Sequence, residues 1–257
     1  MLVKKLLLAC CDTSISHSQM TTASKPSFKE LMSKMNNDVE AQASPVVKID
    51  GVKKKLDDRY TLNQGWYDAL LNTDMVMCGR EEAAPLKLDP TEKRQIVEIG
   101  VYEGASSVFW SDFYMDHPES RLISIDPFTG SEEHHAEPDR YPELANIELT
   151  ARGNIAKSNN AAKIELIKGC SWDVFPELNR RSGGEPWIDL LYIDGAHDST
   201  SVARDVTLYV PMVKKGGTVI FDDYGHPDVK RGVDMALNAF AEMELGVYTG
   251  WQLVVKK

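Results

Sequence analysis

Four acidic or basic side chains in the second half of the chain have the types and spacing to do chemistry. Asp194 follows the run Ile188 to Ile193, apolar apart from Asp189, and His197 comes three residues later. Asp222 and Asp223 follow a second apolar run, Thr218 to Phe221. Carboxylates gathered at the ends of neighbouring strands repel one another unless they are protonated or share a cation. Oxygen ligands of this kind favour Mg²⁺, Ca²⁺ or Mn²⁺ over zinc. Such a cation would orient substrate oxygens and lower the pKa of a bound hydroxyl. His197, poised near neutral pH, would then take the proton.

A second constellation is the stretch Glu98-Ile99-Gly100-Val101-Tyr102-Glu103-Gly104-Ala105-Ser106. It ends a strand and opens a helix. Glycines there let the backbone approach a ligand closely, and the helix start offers free N–H groups to a carboxylate or phosphate. The pattern is not G-x-G-x-x-G, so the dinucleotide fingerprint is missing. Asp126 closes the next strand, 28 residues after Glu98. An acid in that place can accept hydrogen bonds from both hydroxyls of a ribose. His134-His135 read as a solvated loop pair, and Cys170 as a small buried hydrophobe rather than a nucleophile.

These residues need a scaffold, and the sequence supplies one. Ile96 to Ile99, Leu122 to Asp126, Ile164 to Ile167, Ile188 to Ile193 and Thr218 to Phe221 read as strands, with helical patterns between them. Val202, Ala203, Val206, Tyr209 and Val210 share one helical face, and Val229, Val233, Leu237 and Phe240 share another behind Pro227. Alternation of strand and helix predicts a doubly wound, mostly parallel sheet covered on both faces. A terminal hairpin turning at Thr249-Gly250 brings the expected sheet to seven strands, the last pair antiparallel. The polar segment Pro127 to Pro142 shows no periodicity and is expected to be a long loop on the ligand-binding edge.

The rest of the chain sets boundaries. Residues 1–26 read as a flexible tail, 27–90 as a helical extension and 91–257 as the main α/β domain. The extension holds predicted helices over 27–42 and 64–77, the second carrying the aromatics Trp66 and Tyr67. Lys4-Lys5 and the apolar stretch Leu6 to Cys11 mimic a secretion signal, but the stretch falls short of the usual 7–15 apolar residues and cannot span a bilayer. Net charge is −10 across 257 residues, which argues against a nucleic-acid partner. Residues 1–60 carry ten Lys/Arg against seven Asp/Glu, too mild an excess for a nucleic-acid arm. Four cysteines, with no C-x-x-C pair, fit a reducing cytoplasmic setting without a zinc site.

Together the stretch from Gln95 to Lys257 resembles a class I S-adenosylmethionine-dependent methyltransferase, whose fold is Rossmann-like. The VEIGVYEGASS stretch looks like that family's glycine loop. The resemblance implies that Glu98, Gly100, Tyr102 and Gly104 surround the methionine part of the cofactor and that Ser106 contacts its carboxylate. It also implies that Asp126 holds the ribose, that Ser171 lies by the adenine and that Asp194 borders both cofactor and metal. Two metal-dependent branches look similar. In the catechol and caffeoyl-CoA O-methyltransferases, Asp194 and Asp222-Asp223 would match the metal ligands, with Asp223 in place of Asn and His197 in place of a catalytic Lys. The macrolide and aminocoumarin sugar O-methyltransferases resemble the YIDGAHDS and FDDY stretches more. The implied activity is Mg²⁺-assisted O-methylation of a small-molecule or sugar hydroxyl, with Asp194, Asp222 and Asp223 on the metal and His197 as base. A homodimer, with no membrane partner, is compatible with that reading. The alternatives are a non-catalytic methyltransferase-like module, an aminopropyltransferase-type enzyme and an NAD-dependent oxidoreductase.

Overall fold

The computed structural model describes residues 56, 58–63, 88–240, 242–248 and 251–257. The predicted tail, the helices over 27–42 and 64–77, Trp66, Tyr67 and the Thr249-Gly250 turn lie outside the described residues.

Seven strands form one sheet in the order β3-β2-β1-β4-β5-β7-β6. They are β1 (Gln95–Ile99), β2 (Arg121–Asp126), β3 (Ile164–Lys168), β4 (Ile188–Ile193), β5 (Val213–Phe221), β6 (Glu244–Tyr248) and β7 (Leu253–Lys256). The first five are parallel, and β7 pairs antiparallel with both β5 and β6. From β1 the chain moves outward through β2 and β3, then returns to the other side of β1 for β4 and β5. Ligands bind beyond the strand ends at such a reversal.

Alternation along the strands divides the core into two layers. Val97, Ile99, Leu191, Ile193, Val219 and Phe221 face α4 (Ser171–Arg181), α5 (Ser199–Tyr209) and α6 (Pro227–Leu237). Ile96, Leu122, Leu190, Tyr192 and Ile220 face α1 (Ala105–Tyr114), joined by Leu56 and Tyr60 from the segment before the domain. That segment is also tied by polar contacts. The Asn154 amide group donates to the Thr61 carbonyl at 2.8 Å, and the Asn63 backbone donates to Glu103 at 2.9 Å.

Three elements differ from expectation. The segment Pro127 to Pro142 contains the short helix α2 (Glu132–Ala136) and a 3₁₀ turn. Local capping produces α2 without amphipathic periodicity, since the Ser131 amide donates to His134 Nδ1 at 3.0 Å. Strand β5 starts at Val213 rather than Thr218, running through Gly216-Gly217 with a register irregularity against β4. Helix α3 (Ile147–Lys157) buries only Ile147, Ala151, Asn154 and Ile155, so its apolar stripe is too thin to read from sequence.

Candidate active site

Register brings the site together. Ile99 sits beside Ile125 and Ile193, and Ile193 sits beside Phe221. The next residues along these four strands, Gly100, Asp126, Asp194 and Asp222, therefore emerge on one edge. They line a cavity of about 520 Å³ together with Tyr102, Ser171, His197 and Asp223. That volume suits a small-molecule ligand. Glu133, Trp172, Asp205 and Trp251 also line it, and none of them was expected at the site from the sequence.

The glycine turn is fixed by sterics. Gly100 has φ +90°, and a Cβ there would stand 1.8 Å from the Asp194 carbonyl oxygen. Any side chain would collide with the neighbouring strand end. Asp126 gathers the turn around its carboxylate. Oδ2 accepts from the amides of Val101 at 2.7 Å and Tyr102 at 3.0 Å, and Oδ1 accepts from Phe128 at 2.6 Å. Tyr102 and Phe128 both sit at positive φ, so these amide bonds hold backbone that is otherwise strained. The Tyr102 hydroxyl donates to Glu143 at 2.5 Å, and its ring stacks on His134 at 5.3 Å. His134 is thus a buried prop of the cavity wall rather than a solvated loop residue.

Three residues expected around the ligand lie outside the cavity lining. Glu98 falls on the α1 face of β1 by strand alternation and is fully buried. Its Oε2 accepts from the hydroxyls of Ser107 and of Ser124, the latter at 2.6 Å, while Oε1 accepts no hydrogen bond among the described residues. Burial pushes its carboxyl up to about 7 against the opposing pull of the Ser106, Ser107 and Ser124 hydroxyls. Ser106 is buried and turned to Glu98. Gly104, at φ +83°, lies against Ala151 of α3, where a Cβ would be in ordinary contact at 3.5 Å. These three support the turn from beneath.

The acidic group is organised differently. Asp194 is half-buried in the cavity wall, and burial, reinforced by the charges of Asp222, Asp223 and Glu98, raises its carboxyl well above the usual range. Burial and Asp223 raise Asp222 as well. The Tyr192 hydroxyl donates to Asp222 and stands 3.3 Å from Asp194. His197 is clamped between two carboxylates, with Nε2 2.8 Å from Asp223 and Nδ1 3.2 Å from Glu133. Burial opposes its charge, yet Asp223 and Glu133 prevail and push the imidazole up to about 9. Held between these two carboxylates, His197 is charged at neutral pH, not poised near it. Donor atoms of Asp194, His197 and Asp223 all lie within 4.8 Å of one another, a grouping that could hold a metal ion. Asp222, turned to Tyr192, is not part of that grouping. Two carboxylates and an imidazole suit Mn²⁺ as well as Mg²⁺.

The wall at the end of β3 is formed by the start of α4. Ser171 is buried there, and its hydroxyl donates to Asp205 of α5. Cys170, just before it, is half-buried, and burial and Asp173 push its thiol up, which disfavours a nucleophilic role. Among the described residues no helix is long and apolar enough to cross a membrane.

Residues 97–224 match the family described as a methyltransferase domain. A protein of Acanthamoeba polyphaga mimivirus, described as uncharacterized protein R132, is 34% identical over 163 residues. That match covers 62% of this chain and 65% of the viral protein, so the chain spans just under two thirds of that relative. The solved O-methyltransferase NovP is similar in fold, with a TM-score of 0.52 and 22% identity over 64% of this chain and 72% of NovP. The O-methyltransferase TomG of Streptomyces achromogenes, solved with S-adenosylmethionine, gives a TM-score of 0.45 and 21% identity over 63% of this chain and 72% of TomG.

Proposed function

We propose that the protein is an S-adenosylmethionine-dependent O-methyltransferase, assisted by a divalent cation such as Mg²⁺ and acting on a hydroxyl of a small molecule or sugar; the match of residues 97–224 to a methyltransferase domain family supports this reading. The observation that carries this reading is the joining, in one cavity, of the Gly100 turn and Asp126 with the acidic group of Asp194, His197, Asp222 and Asp223. One half suits a nucleoside with a carboxylate-bearing tail. The other half suits a cation and an acceptor oxygen.

S-Adenosylmethionine supplies an activated methyl group on a sulfonium, and a bound divalent cation lowers the pKa of an acceptor hydroxyl. The chain supplies the rest. Gly100 and Tyr102 present backbone to the methionine portion, Asp126 takes the ribose hydroxyls and Ser171 borders the adenine. Glu98, Gly104 and Ser106 act through the turn they support. Asp194 and Asp223 would hold the cation with Asp222, its charge would offset the carboxylates that keep His197 protonated, and His197 in its neutral form would take the acceptor's proton in the methyl transfer. The sulfonium charge disappears in that transfer, so positioning and exclusion of water dominate the contribution of the protein. A second reading makes His197 a ligand in place of Asp222, and the grouping of Asp194, His197 and Asp223 favours it. His197→Ala separates the two, since loss of a ligand lowers Mn²⁺ affinity and loss of a base lowers turnover alone.

Residues 91–257 form the catalytic unit in this reading, and 27–90 shape the acceptor side. The polar rim from Ser131 to Arg140 and the half-exposed Trp251 suit a hydroxylated ring. The net charge of −10 supports a small-molecule acceptor over a nucleic acid. Calorimetric titration with S-adenosylhomocysteine tests the cofactor assignment. Binding that Asp126→Ala weakens supports it, and no binding by the wild type refutes it.

A further inference from the structure

One wall of the cavity combines three features that the cofactor reading does not use. Asp205 sits on the apolar face of α5, one turn from Val202 and from Tyr209, and is only 4% exposed. A carboxylate in that place is costly unless its oxygens find donors. Oδ1 accepts the Ser171 hydroxyl, and Tyr209 donates to the Ser171 carbonyl at 2.7 Å. Oδ2 accepts no hydrogen bond among the described residues. It lies beside Gly195, where even a Cβ would stand 3.5 Å away, and both residues line the cavity. Burial raises the Asp205 carboxyl to about 6, against the pull of Ser171 and Arg204, so it is ionised at neutral pH.

The second feature is Trp172, whose indole lines the cavity with the Arg204 guanidinium 3.6 Å over its ring. The cation–π contact holds the ring as a plate. The third is the start of α4, where the amides of Ser171 and Trp172 have no acceptor within the helix. An aromatic plate, an ionised acceptor and free amide donors together match a flat heterocycle that carries an amino group next to a ring nitrogen. That is the edge of a 6-aminopurine.

We infer that Asp205 accepts a hydrogen bond from the exocyclic amino group of the bound adenine, making it the residue that selects an aminopurine over an oxopurine. The inference rests on the S-adenosylmethionine reading and sharpens it. An oxopurine would turn a carbonyl oxygen toward the carboxylate and a ring N–H toward the amide donors, so both contacts would be mismatched.

The test is calorimetric titration of the full chain with S-adenosylhomocysteine and with S-inosylhomocysteine, its 6-oxo counterpart. The wild type should prefer the adenosyl ligand by about tenfold or more, the discrimination expected of a hydrogen bond to a charged acceptor. Asp205→Asn can donate to the 6-oxo group and should shrink the preference to within about threefold. Equal affinity of the wild type for the two ligands would overturn the inference without any variant. So would an Asp205→Asn protein that loses affinity for both ligands by the same factor, which would mark Asp205 as a support for Ser171 alone. Failure of the wild type to bind either ligand would instead overturn the cofactor reading, and this inference with it.

Discussion

The two halves of the cavity are built on the same strand edge but hold their acids in opposite ways. Around the glycine turn, the Asp126 carboxylate accepts three backbone amides and faces no other acid at hydrogen-bond distance. Its negative charge is satisfied by the chain itself. Across β1 and β4, Asp194, Asp222 and Asp223 crowd together, with the Tyr192 hydroxyl, the Asp223 amide, the Gln252 side chain and His197 as donors to three carboxylates. The first half is preorganised before any ligand arrives. The second is complete only with a proton or a cation, and that need is what equips it to bind one.

Gly100→Ala should damage both halves together and give the largest effect. Its Cβ would meet the Asp194 carbonyl at 1.8 Å from a backbone at φ +90°. Strain and overpacking together should cost about 4 kcal/mol in denaturant unfolding. A loss below about 1 kcal/mol would show that the two strand ends are less tightly joined than the geometry demands.

Glu98 sharpens the comparison through pH. Its carboxyl rises from 4.5 to about 7 on folding. The folded state therefore binds the proton more tightly, and stability from this group falls as pH rises through that window. The fall should approach roughly 3 kcal/mol and level off above about pH 7. Glu98→Gln should flatten the profile between pH 4.5 and 7. An unchanged profile would assign the titration to other groups.

Asp126→Asn keeps the size of the side chain and loses its charge. We expect S-adenosylhomocysteine affinity to fall about tenfold, near 1.4 kcal/mol, with a modest drop in stability. Asp194→Asn should act in the opposite direction on stability. Removing a charge from a crowded buried group should stabilise the cation-free protein by about 1 kcal/mol while abolishing its response to Mg²⁺. Destabilisation by Asp194→Asn would erase the contrast between the halves.

The strand-end acids were legible because buried parallel strands are mostly apolar, so an acid that closes such a run stands out. Asp126, Asp194 and Asp222-Asp223 all follow that rule, and the parallel sheet with its antiparallel end followed from strand–helix alternation and the terminal hairpin. Glu98 lies outside the cavity lining, at a depth that motif spacing does not report, although period-two alternation places it opposite Ile99 and on the α1 side. Glu133 escaped because it reaches His197 across 64 residues from a helix set up by local capping. Asp205 did leave a signal, a carboxylate between Val202, Val206 and Tyr209 on an apolar helical face. Trp251 gave none, since its place on the rim depends on the docking of β7 against β5.

The contrast between a self-sufficient half and a cation-dependent half can be tested in one titration. Wild-type protein is titrated with S-adenosylhomocysteine in chelator and again in Mg²⁺. The account predicts micromolar binding in both, with an added heat or affinity change in Mg²⁺ that Asp194→Asn removes. Binding that requires Mg²⁺ would contradict the preorganised turn, and no binding in either condition would contradict the cofactor assignment itself.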